Sequence, residues 1–423
     1  MESKKVLPSV LSGLLRIPAS KSIAHRAVIC ASLAAGTSRL CGIDLSQDIE
    51  ATIEAMRQLG AKIDWEGNEL VVQGIMCAEA SADLFCGESG STLRFLIPVA
   101  AALGISARFA GAGRLGERPL SVYEDTLPQH GILWRREKSW LPLSIEGQLQ
   151  PGRFLIRGDV SSQFITGLLL ALPMLAEDSE IILTTPLESE PYVTLTLSAM
   201  DAFGVHAERT EQGYRIPGGQ RYQPVEYEVE ADYSQAAFML AAGALAASPA
   251  GMRLKGLRKD SLQGDRVILQ ILSRMGVPLE WQGETLWVHR AESLRNIEVD
   301  ASQCPDLIPV VAAIGCCAEG QMVIRNAARL RLKESDRLRA IHQEYEKIGA
   351  RITESEDGLL VEGSPASYIG GTAESENDHR MAMSLAVLAQ HTREGIQVLG
   401  SESVSKSWPT FWTDLAQMGG NYE

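Results

Sequence analysis

The chain has 423 residues, a length that predicts two or three domains rather than a single hydrophobic core. Hydrophobic residues make up 45% of it and charged residues 22%, which is typical of a globular protein in water. The formal net charge is -14, which argues against nucleic acid as a partner, so an anionic ligand would need a local positive site.

No segment predicts secretion or a membrane span. The first five residues are not followed by a long apolar core, so we expect no signal peptide. The longest apolar runs, 168–176 and 310–318, are too short to cross a bilayer. Seven cysteines at irregular spacing indicate reduced thiols, and no Cys/His group has the spacing of a zinc site. We therefore expect a cytoplasmic protein without a bound metal.

Apolar segments rich in small residues recur along the chain, and each begins after a polar cluster. One residue of each cluster serves as a marker, and the markers are spaced 69 to 73 residues apart. The six markers are Ser22, Ser91, Ser162, Ser234, Asp306 and His379. Self-similarity at a fixed period predicts six copies of one structural unit.

A second, amphipathic segment follows each apolar one and ends in glycine. Glycine just past a helix predicts a helix end in the left-handed conformation. The six glycines are Gly60, Gly131, Gly204, Gly276, Gly349 and Gly419. Strand-like runs come next and predict hairpins, as in 61–65 and 70–72 around a turn at Gly67.

The pattern therefore predicts that each unit contains, in order, a strand, a buried helix, a strand, an exposed helix and a hairpin. The helices exclude a propeller, and a repeat of about 70 residues is long for a solenoid. Two globular domains of three units each suit the length better.

Cations at the start of the buried helices suggest an anion site. Capping explains the serines at these positions equally well. It does not explain Lys21, Arg26 or Arg380, because a cation at a helix N-terminus opposes the macrodipole. Six such N-termini converging on a cleft would bind anionic small molecules.

The segment 329–339 carries five cations and two carboxylates before a further helical pattern. It predicts either an anion site or a solvated charged face. Ser335 or Asp336 is expected to cap the helix, and Arg329, Arg331 and Arg339 are expected at the surface.

Eight short motifs, in order along nearly the whole chain, resemble those of the 5-enolpyruvylshikimate-3-phosphate (EPSP) synthase family. They are residues 18–27 (PASKSIAHRA), 87–94 (GESGSTLR), 116–120 (GERPL), 161–164 (SSQF), Asp306, 333–337 (KESDR), 377–383 (NDHRMAM) and 406–409 (KSWP). The resemblance implies an α/β (α+β) fold of two domains, each an inside-out α/β barrel of three βαβαββ-type units. It places residues 1–17 and 228–423 in a lower domain, residues 18–227 in an upper domain, and the active site in the cleft between them.

The resemblance also implies an activity. Members of the family are 3-phosphoshikimate 1-carboxyvinyltransferases of the shikimate pathway, which leads to chorismate and the aromatic amino acids. They transfer the enolpyruvyl group of phosphoenolpyruvate to the 5-hydroxyl of shikimate 3-phosphate and release phosphate, by addition and elimination through a tetrahedral intermediate. They need no metal or other cofactor, and the herbicide glyphosate targets them. We expect a monomer that binds these two small molecules and neither nucleic acid nor membrane.

Site residues follow from matching this sequence to the family motifs. Asp306 is the expected base at the 5-hydroxyl, Glu334 the expected acid at the methylene carbon, and Lys21 also belongs to the catalytic set. The shikimate 3-phosphate site is expected to contain Lys21, Ser22, Arg26, Ser161, Ser162, Gln163, Ser189, Asp306 and Lys333. The phosphoenolpyruvate site is expected to contain Lys21, Gly90, Arg118, Gln163, Arg337, Arg380 and Lys406. His379 and Tyr192 are expected to support these residues.

Some positions depart from the common bacterial pattern of the family. His25 and Glu88 stand where asparagine is common, and Arg329 stands where an asparagine often contacts the shikimate ring. Glu190 replaces a residue that is often basic, and Phe95 stands where proline is common. These differences concern secondary contacts and inhibitor sensitivity. For Arg329 the alternative to a surface position is a further phosphate contact.

Other functions remain open at this point. The related transferase that acts on UDP-N-acetylglucosamine has the same fold, but it carries a cysteine in the loop matching residues 112–118, where this chain has none. A non-catalytic anion-binding protein would be expected to lack Asp306 or Glu334, and both are present. RNA 3′-phosphate cyclase has related units, but the acidic charge argues against RNA.

Overall fold

The computed structural model describes residues 2–423. They form two compact units, which we call the lower domain (residues 2–20 and 230–423) and the upper domain (Lys21–Val229). The predicted boundaries, after residues 17 and 227, lie within three residues of these divisions.

Helices and strands alternate along the chain. The α-helices are α1 Lys21–Leu33, α2 Gln47–Gln58, α3 Gly90–Ala102, α4 Ser121–Thr126, α5 Ser162–Ala171, α6 Glu190–Ala202, α7 Tyr233–Ala246, α8 Ile268–Met275, α9 Ile308–Cys316, α10 Arg337–Glu346, α11 His379–Ala389 and α12 Phe411–Gln417. The first twelve strands are β1 Ser3–Leu7, β2 Leu11–Arg16, β3 Thr37–Cys41, β4 Lys62–Glu66, β5 Glu69–Gln73, β6 Ser81–Phe85, β7 Ser106–Ala110, β8 Leu133–Arg136, β9 Leu143–Glu146, β10 Arg153–Ile156, β11 Ser179–Leu183 and β12 Glu208–Thr210. The others are β13 Gly213–Ile216, β14 Glu226–Glu228, β15 Ala247–Lys255, β16 Leu279–Gln282, β17 Thr285–Val288, β18 Glu298–Asp300, β19 Gln321–Arg325, β20 Arg351–Ser355, β21 Gly358–Glu362, β22 Gly371–Glu374, β23 Ile396–Leu399 and β24 Asn421–Tyr422.

All six sheets have the same topology. Each has four strands, with one parallel pair at an edge followed by two antiparallel neighbours. In the upper domain the orders are β14-β3-β5-β4, β6-β7-β9-β8 and β10-β11-β13-β12. In the lower domain they are β2-β15-β17-β16, β18-β19-β21-β20 and β22-β23-β1-β24. The predicted α/β fold with three repeated units in each domain is therefore confirmed.

Three of the sheets each contain a strand that is distant in sequence from the other strands of the same sheet. β14 completes the first sheet by running parallel to β3, with Tyr227 opposite Leu40. β2 runs parallel to β15, and β1 lies between β23 and β24. These pairings explain why the chain passes between the domains twice, after Ser20 and after Val229.

Buried helices of small and apolar residues form the core of each domain. In the lower domain α7, α9 and α11 pack against one another, and every residue of α7 except Leu245 is buried. In the upper domain α5 packs closely on α3 at Gly167, where a Cβ atom would lie 2.4 Å from the carbonyl oxygen of Arg94. The predicted buried helix of each unit is thus observed.

The six glycines predicted to end the amphipathic segments all have positive φ, between 73° and 112°. That conformation is strained for a residue with a Cβ atom, so these local predictions are confirmed.

Two further findings concern the whole described chain. No helix within residues 2–423 combines the length and the apolar character that a membrane crossing requires. All seven cysteines are free thiols, and five of them are buried.

Candidate active site

The lower domain gathers three cations and three carboxylates, here called the lower cluster. Its members are Asp306, Lys333, Glu334, Arg337, Asp378 and Arg380. Asp306 lies in the short 3₁₀ turn Pro305–Leu307 that precedes α9. Arg337 begins α10, and Arg380 lies in the first turn of α11. The N-terminal ends of three helices therefore supply most of the cluster.

Asp306 contacts all three cations. Its Oδ1 atom lies 2.8 Å from Nη1 of Arg337 and 3.5 Å from Nζ of Lys333, and its Oδ2 atom accepts from Nη2 of Arg380 at 3.1 Å. Burial opposes ionisation of Asp306, but the charges of Arg380, Lys333 and Arg337 outweigh it and hold its pKa well below the usual range. Asp306 is therefore ionised at neutral pH.

Arg337 links the carboxylates. Its side chain is 1% exposed and donates to Asp306, to Oε2 of Glu334 at 2.7 Å and to Oδ2 of Asp378 at 2.8 Å. Burial opposes its charge, but Asp378, Glu334 and Asp306 together raise its pKa above the ordinary value. Arg337 was predicted to bind phosphoenolpyruvate. In the structure, its side-chain N–H groups donate hydrogen bonds to the carboxylates of the protein itself.

Lys333 is a cation of the lower cluster whose pKa is lowered. Its ammonium is desolvated and lies near Arg337, and although Asp306 favours the charge, the pKa of Lys333 falls to about 8. A lysine with this pKa is charged at neutral pH and neutral in moderate alkali.

The predicted residues Lys406 and His379 lie on elements that adjoin the cluster. Lys406 ends the 3₁₀ helix Ser401–Lys406, and its Nζ atom donates to the carbonyl of Asn377 at 2.7 Å. His379 is buried, with Nδ1 at 3.9 Å from Oδ1 of Asp378. Asp378 caps α11 by accepting from the backbone N–H of Arg380 at 2.9 Å.

Asp265 is a buried acid that was not predicted to belong to the site. Ser234, at the start of α7, donates a hydrogen bond from its hydroxyl to Oδ2 of Asp265. Burial and the nearby charge of Asp306 raise the pKa of Asp265 to about 6. Nothing in the local pattern 263–267 distinguishes this aspartate from an exposed one, so only the tertiary structure identifies it.

In the upper domain, Lys21 is the first residue of α1 and is paired with an acid. Its Nζ atom donates to Oδ2 of Asp48, in the first turn of α2, at 2.7 Å. The anion expected beside this N-terminal cation is thus, within the domain, a protein carboxylate that the sequence analysis did not select. Ser22 follows Lys21 on α1 and is half-buried.

Arg26 lies one turn further along α1 and is almost completely buried. It donates to the carbonyls of Ser22 at 2.5 Å and Tyr192 at 2.9 Å, and to the hydroxyls of Thr196 at 2.8 Å and Thr166 at 3.3 Å. Burial lowers the pKa of Arg26 to about 10, so it stays charged at neutral pH. These bonds connect α1 with α5 and α6, which gives Arg26 a structural role beside its predicted contact with a ligand.

Gly90 begins α3 and faces the guanidinium of Arg118. A Cβ atom at Gly90 would lie 2.9 Å from Nη1 and 3.0 Å from Cζ of Arg118. Any side chain at position 90 would therefore displace Arg118, and both residues were predicted to belong to the phosphoenolpyruvate site.

Gln163 is held by two residues of α3. Its Oε1 atom accepts from Nη1 of Arg94 at 2.7 Å, and its Nε2 atom donates to Oγ of Ser91 at 3.0 Å. Arg94 is buried and lies one turn after Gly90, but it was predicted only as a member of the motif 87–94 and not as a site residue. Its position four residues after the first residue of the helix is the signal that could have identified it.

Ser161, Ser162, Ser189 and Tyr192 lie at the starts of two helices. Ser161 caps α5 through its hydroxyl, which accepts from the backbone N–H of Gln163 at 3.3 Å, and Ser162 is the first residue of that helix. Ser189 precedes α6 with a left-handed backbone (φ 55°) and is buried. Left-handed serine costs conformational energy and is concentrated at functional sites in proteins.

The residues that differ from the common family pattern each have identifiable neighbours in the structure. Glu88 lies so close to Gly113 that a Cβ there would be 2.4 Å from its Oε2 atom, which places the carboxylate beside the 3₁₀ helix preceding Arg118. Glu190 forms an ion pair with Arg209. His25 is buried against Phe95, with ring centroids 6.4 Å apart.

In the segment 329–339 the surface prediction is wrong for Arg329 and Arg331, which are half-buried, and confirmed for Arg339, and the predicted cap is also confirmed. Arg329 is half-buried because it donates to the carbonyl of Ser302. Arg331 is held by the acids Asp336 and Glu354. Arg339 is exposed as predicted, and Asp336 caps α10 as predicted, accepting from the N–H of Arg339 at 3.2 Å.

The lower cluster is suited to binding anions and moving protons. Its three cations are balanced by three carboxylates, so an anionic ligand would compete with Asp306 for Arg380 and Lys333. Loss of those partners would raise the pKa of Asp306 and make it a stronger base. An ionised acid amid cations is therefore a base that becomes effective when an anionic substrate binds.

Comparison with known proteins gives a consistent result. Residues 7–415 match the family model described as EPSP synthase (3-phosphoshikimate 1-carboxyvinyltransferase). A Clostridium kluyveri protein named 3-phosphoshikimate 1-carboxyvinyltransferase is 45% identical over 425 residues, spanning 100% of this chain and 99% of its own. A Clostridioides difficile protein of the same name is 44% identical, with the same coverage.

Solved structures agree with this assignment. An EPSP synthase from Acinetobacter baumannii has a TM-score of 0.84 at 25% identity, covering 100% of this chain and 99% of its own. The enolpyruvyl transferase NikO from Streptomyces tendae has a TM-score of 0.81 at 20% identity, with 100% and 98% covered, and so shares the fold. Taken with the sixfold repeat and the acid–cation cluster, these matches show that the chain belongs to the EPSP synthase family.

Proposed function

We propose that the protein transfers the enolpyruvyl group of phosphoenolpyruvate to the 5-hydroxyl of shikimate 3-phosphate and releases phosphate, through a tetrahedral intermediate. The observation that carries this proposal is the contact of Asp306 with Lys333, Arg337 and Arg380 in a chain of this family. Both substrates carry a phosphate and a carboxylate, which arginine recognises through bidentate hydrogen bonds. The protein is proposed to act as a cytoplasmic monomer.

The addition step needs a base for the hydroxyl and an acid for the methylene carbon. Asp306 is proposed as the base, because it is ionised and its basicity would rise when an anion draws its cations away. Glu334, which lies beside Arg337, is proposed as the acid that protonates the methylene carbon. The two roles reverse during elimination, when phosphate leaves.

Binding is proposed to use residues of both domains. Shikimate 3-phosphate would contact Lys21, Ser22, Arg26, Ser161, Ser162, Gln163, Ser189, Asp306 and Lys333. Phosphoenolpyruvate would contact Lys21, Gly90, Arg118, Gln163, Arg337, Arg380 and Lys406. Tyr192 and His379 would support them, the former through its carbonyl bond to Arg26.

A single assay tests the proposed reaction. Phosphate release from phosphoenolpyruvate is measured with shikimate 3-phosphate or with UDP-N-acetylglucosamine as the acceptor. We expect release with shikimate 3-phosphate alone. Release only with the sugar nucleotide would support the alternative transferase, and release with neither would contradict both.

The proposed roles of the two acids predict a specific kinetic pattern. Asp306→Ala and Glu334→Ala are each expected to lower kcat by about 10²–10⁴-fold, the usual range for loss of an acid or base. Shikimate 3-phosphate should still bind to each variant within about tenfold of the original affinity, measured by calorimetry. A variant that no longer binds this ligand would contradict the division between catalysis and binding.

A further inference from the structure

Four buried polar side chains join the second turns of α1 and α2 to the start of α3 in the upper domain. They are His25 on α1, Thr52 on α2, and Ser89 and Thr92 at the start of α3, and we call them the polar chain. Nδ1 of His25 lies 2.7 Å from Oγ1 of Thr52, which lies 2.6 Å from Oγ1 of Thr92. The Thr92 hydroxyl donates to Oγ of Ser89 at 2.7 Å. None of the four is more than 1% exposed.

The polar chain lies one helical turn from residues proposed to bind substrate. Lys21 and Asp48 pair across the first turns of α1 and α2. His25 and Thr52 each lie four residues further on, so they share the helix faces of Lys21 and Asp48. The two contacts form parallel cross-links between α1 and α2, one charged and partly exposed and the other neutral and buried.

The third helix is connected to the same turn. Ser89 caps α3 by accepting from the N–H of Thr92 at 3.1 Å, and Gly90 follows it directly. The Thr92 hydroxyl also lies 3.5 Å from the carbonyl of Asp48. The position of Gly90, and with it the space left for Arg118, is therefore linked to the position of Asp48 and Lys21.

The imidazole takes part as a neutral group. Burial, followed by the charges of Lys21 and Arg26, lowers the pKa of His25 well below its ordinary value. Among residues 2–423, Nε2 of His25 has no hydrogen-bond partner, whereas Nδ1 has one. A proton on Nδ1 avoids burying an N–H group without an acceptor, so His25 donates to Thr52. Thr52 can then donate to Thr92, and Thr92 to Ser89.

We propose that His25, Thr52, Thr92 and Ser89 are positioning residues that keep Lys21 and Gly90 in register for phosphoenolpyruvate. The inference rests on the proposed function for its substrate, but the connection among the three helices stands on the contacts alone. Such a chain is sensitive to loss of a hydroxyl. Without Thr52, Nδ1 of His25 would be buried without its partner, and without Thr92, the Thr52 hydroxyl would keep only its longer contact with the carbonyl of Asp48 at 3.4 Å.

Isosteric substitutions test the proposal. Thr92→Val and Thr52→Val remove a hydroxyl at nearly constant volume, and Thr92→Ser retains the hydroxyl. Thr126→Val is the matched control, because Thr126 is also buried in the upper domain but bonds to the carbonyls of Val122 at 2.8 Å and Leu155 at 3.3 Å, which lie outside α1, α2 and α3. All variants are assayed at a temperature where circular dichroism shows them to be folded.

Thr92→Val and Thr52→Val are expected to raise KM for phosphoenolpyruvate about tenfold and KM for shikimate 3-phosphate by less than threefold. Thr92→Ser and Thr126→Val should stay within about twofold of the parent protein. An equal rise of KM in Thr92→Val and Thr126→Val, or no rescue by Thr92→Ser, would overturn the proposal.

Amide hydrogen exchange supplies a readout that does not depend on activity. In Thr52→Val, peptides covering 21–27 and 89–95 should exchange at least fivefold faster, whereas in Thr126→Val they should not change. Unchanged exchange in both variants would overturn the proposed connection even if the enzyme is active. Inactivity of the parent protein in the phosphate-release assay would instead contradict the proposed function.

Discussion

Gly90 leaves room for the guanidinium of Arg118 because it has no side chain. The residue is not in the left-handed region, so alanine is tolerated by the backbone, and the atoms that a Cβ would meet belong to the flexible end of Arg118. Gly90→Ala is therefore expected to fold normally while displacing the guanidinium. We predict a 10- to 100-fold rise in KM for phosphoenolpyruvate with little change in thermal stability, measured by steady-state kinetics and calorimetry.

The control for this variant is a glycine with a negative φ in the 3₁₀ helix Gly113–Glu117. Gly116→Ala adds a methyl group whose nearest neighbour, Cβ of Leu141, is 3.8 Å away, an ordinary contact. Its KM should be unchanged. An unaltered KM in Gly90→Ala would show that Arg118 does not bind phosphoenolpyruvate.

Lys333 gives the site a predicted dependence on pH. With a pKa of about 8, its ammonium is charged below that pH and neutral above it. The ratio kcat/KM for shikimate 3-phosphate should therefore fall about tenfold per pH unit above pH 8, since kcat/KM reports the ionisation of the free enzyme. Lys333→Arg keeps its charge and should remove this alkaline decline, whereas exposed Lys62→Arg should retain it. A decline that persists in Lys333→Arg would contradict the assignment.

The same pKa has a consequence for stability with a defined sign. Unfolded lysine has a pKa near 10.5, so between pH 8 and 10.5 the unfolded chain binds this proton more tightly than the folded one. The contribution of Lys333 to the free energy of unfolding therefore increases as pH rises through that range.

Some residues of the site can be predicted from the sequence and others cannot. The family motifs pointed to Asp306 and Glu334, and Arg380 was also visible as a cation at a helix N-terminus; the structure brings these three together in the lower cluster. Asp48, Arg94 and Asp265 were missed, since a buried charge and an exposed one look alike until their partners are known. Arg331 was assigned to the surface for the same reason.

At the scale of elements, Arg331 anchors the segment that carries Lys333 and Glu334. Its guanidinium donates to both carboxylate oxygens of Asp336 at 3.1 Å and to Glu354 at 2.5 Å. It also donates to the carbonyls of Ser355 and Glu356, at the turn between β20 and β21. The 3₁₀ helix Ala328–Leu332 is thereby fixed to a hairpin of the same sheet as β19.

This anchor predicts that Arg331 positions the proposed acid. Arg331→Met should lower kcat about 10- to 100-fold with less than a threefold change in either KM. Arg331→Lys should not rescue it, because one ammonium cannot reach two acids and two carbonyls. Exposed Arg339→Met is the matched control and should keep its full kcat. Equal kcat values for the Arg331 and Arg339 variants would refute the anchoring role.

Local signals explain why the elements themselves were predictable. The spacing of apolar residues, the cap residues and the terminal glycines depend only on neighbours within a few helical turns. The buried and exposed helices could therefore be predicted directly from the sequence. The positions of β1, β2 and β14 could not, because each pairs with a strand that is distant in sequence. Pairing partners at that separation are set by the tertiary fold.

At the scale of the whole molecule, the N-terminal strand β1 is an interior strand of the last sheet. It lies between β23 and β24, and Val6 is completely buried. The carbonyl of Glu2 accepts from the N–H of Gly400 at 2.8 Å, just before the 3₁₀ helix that carries Lys406. The first residues of the chain therefore hold a segment that lies about 400 residues later.

Two short deletions test this arrangement. Removing residues 2–7 eliminates an interior strand and its ladder, at a cost of about 2 kcal/mol for Val6 and about 1 kcal/mol for each hydrogen bond. That is a large share of the roughly 5–15 kcal/mol that stabilises a folded domain. Removing residues 421–423 eliminates only the edge strand β24. We expect the first deletion to unfold the lower domain or sharply lower its urea midpoint, and the second to shift the midpoint slightly. Equal midpoints for the two deletions would contradict the interior position of β1.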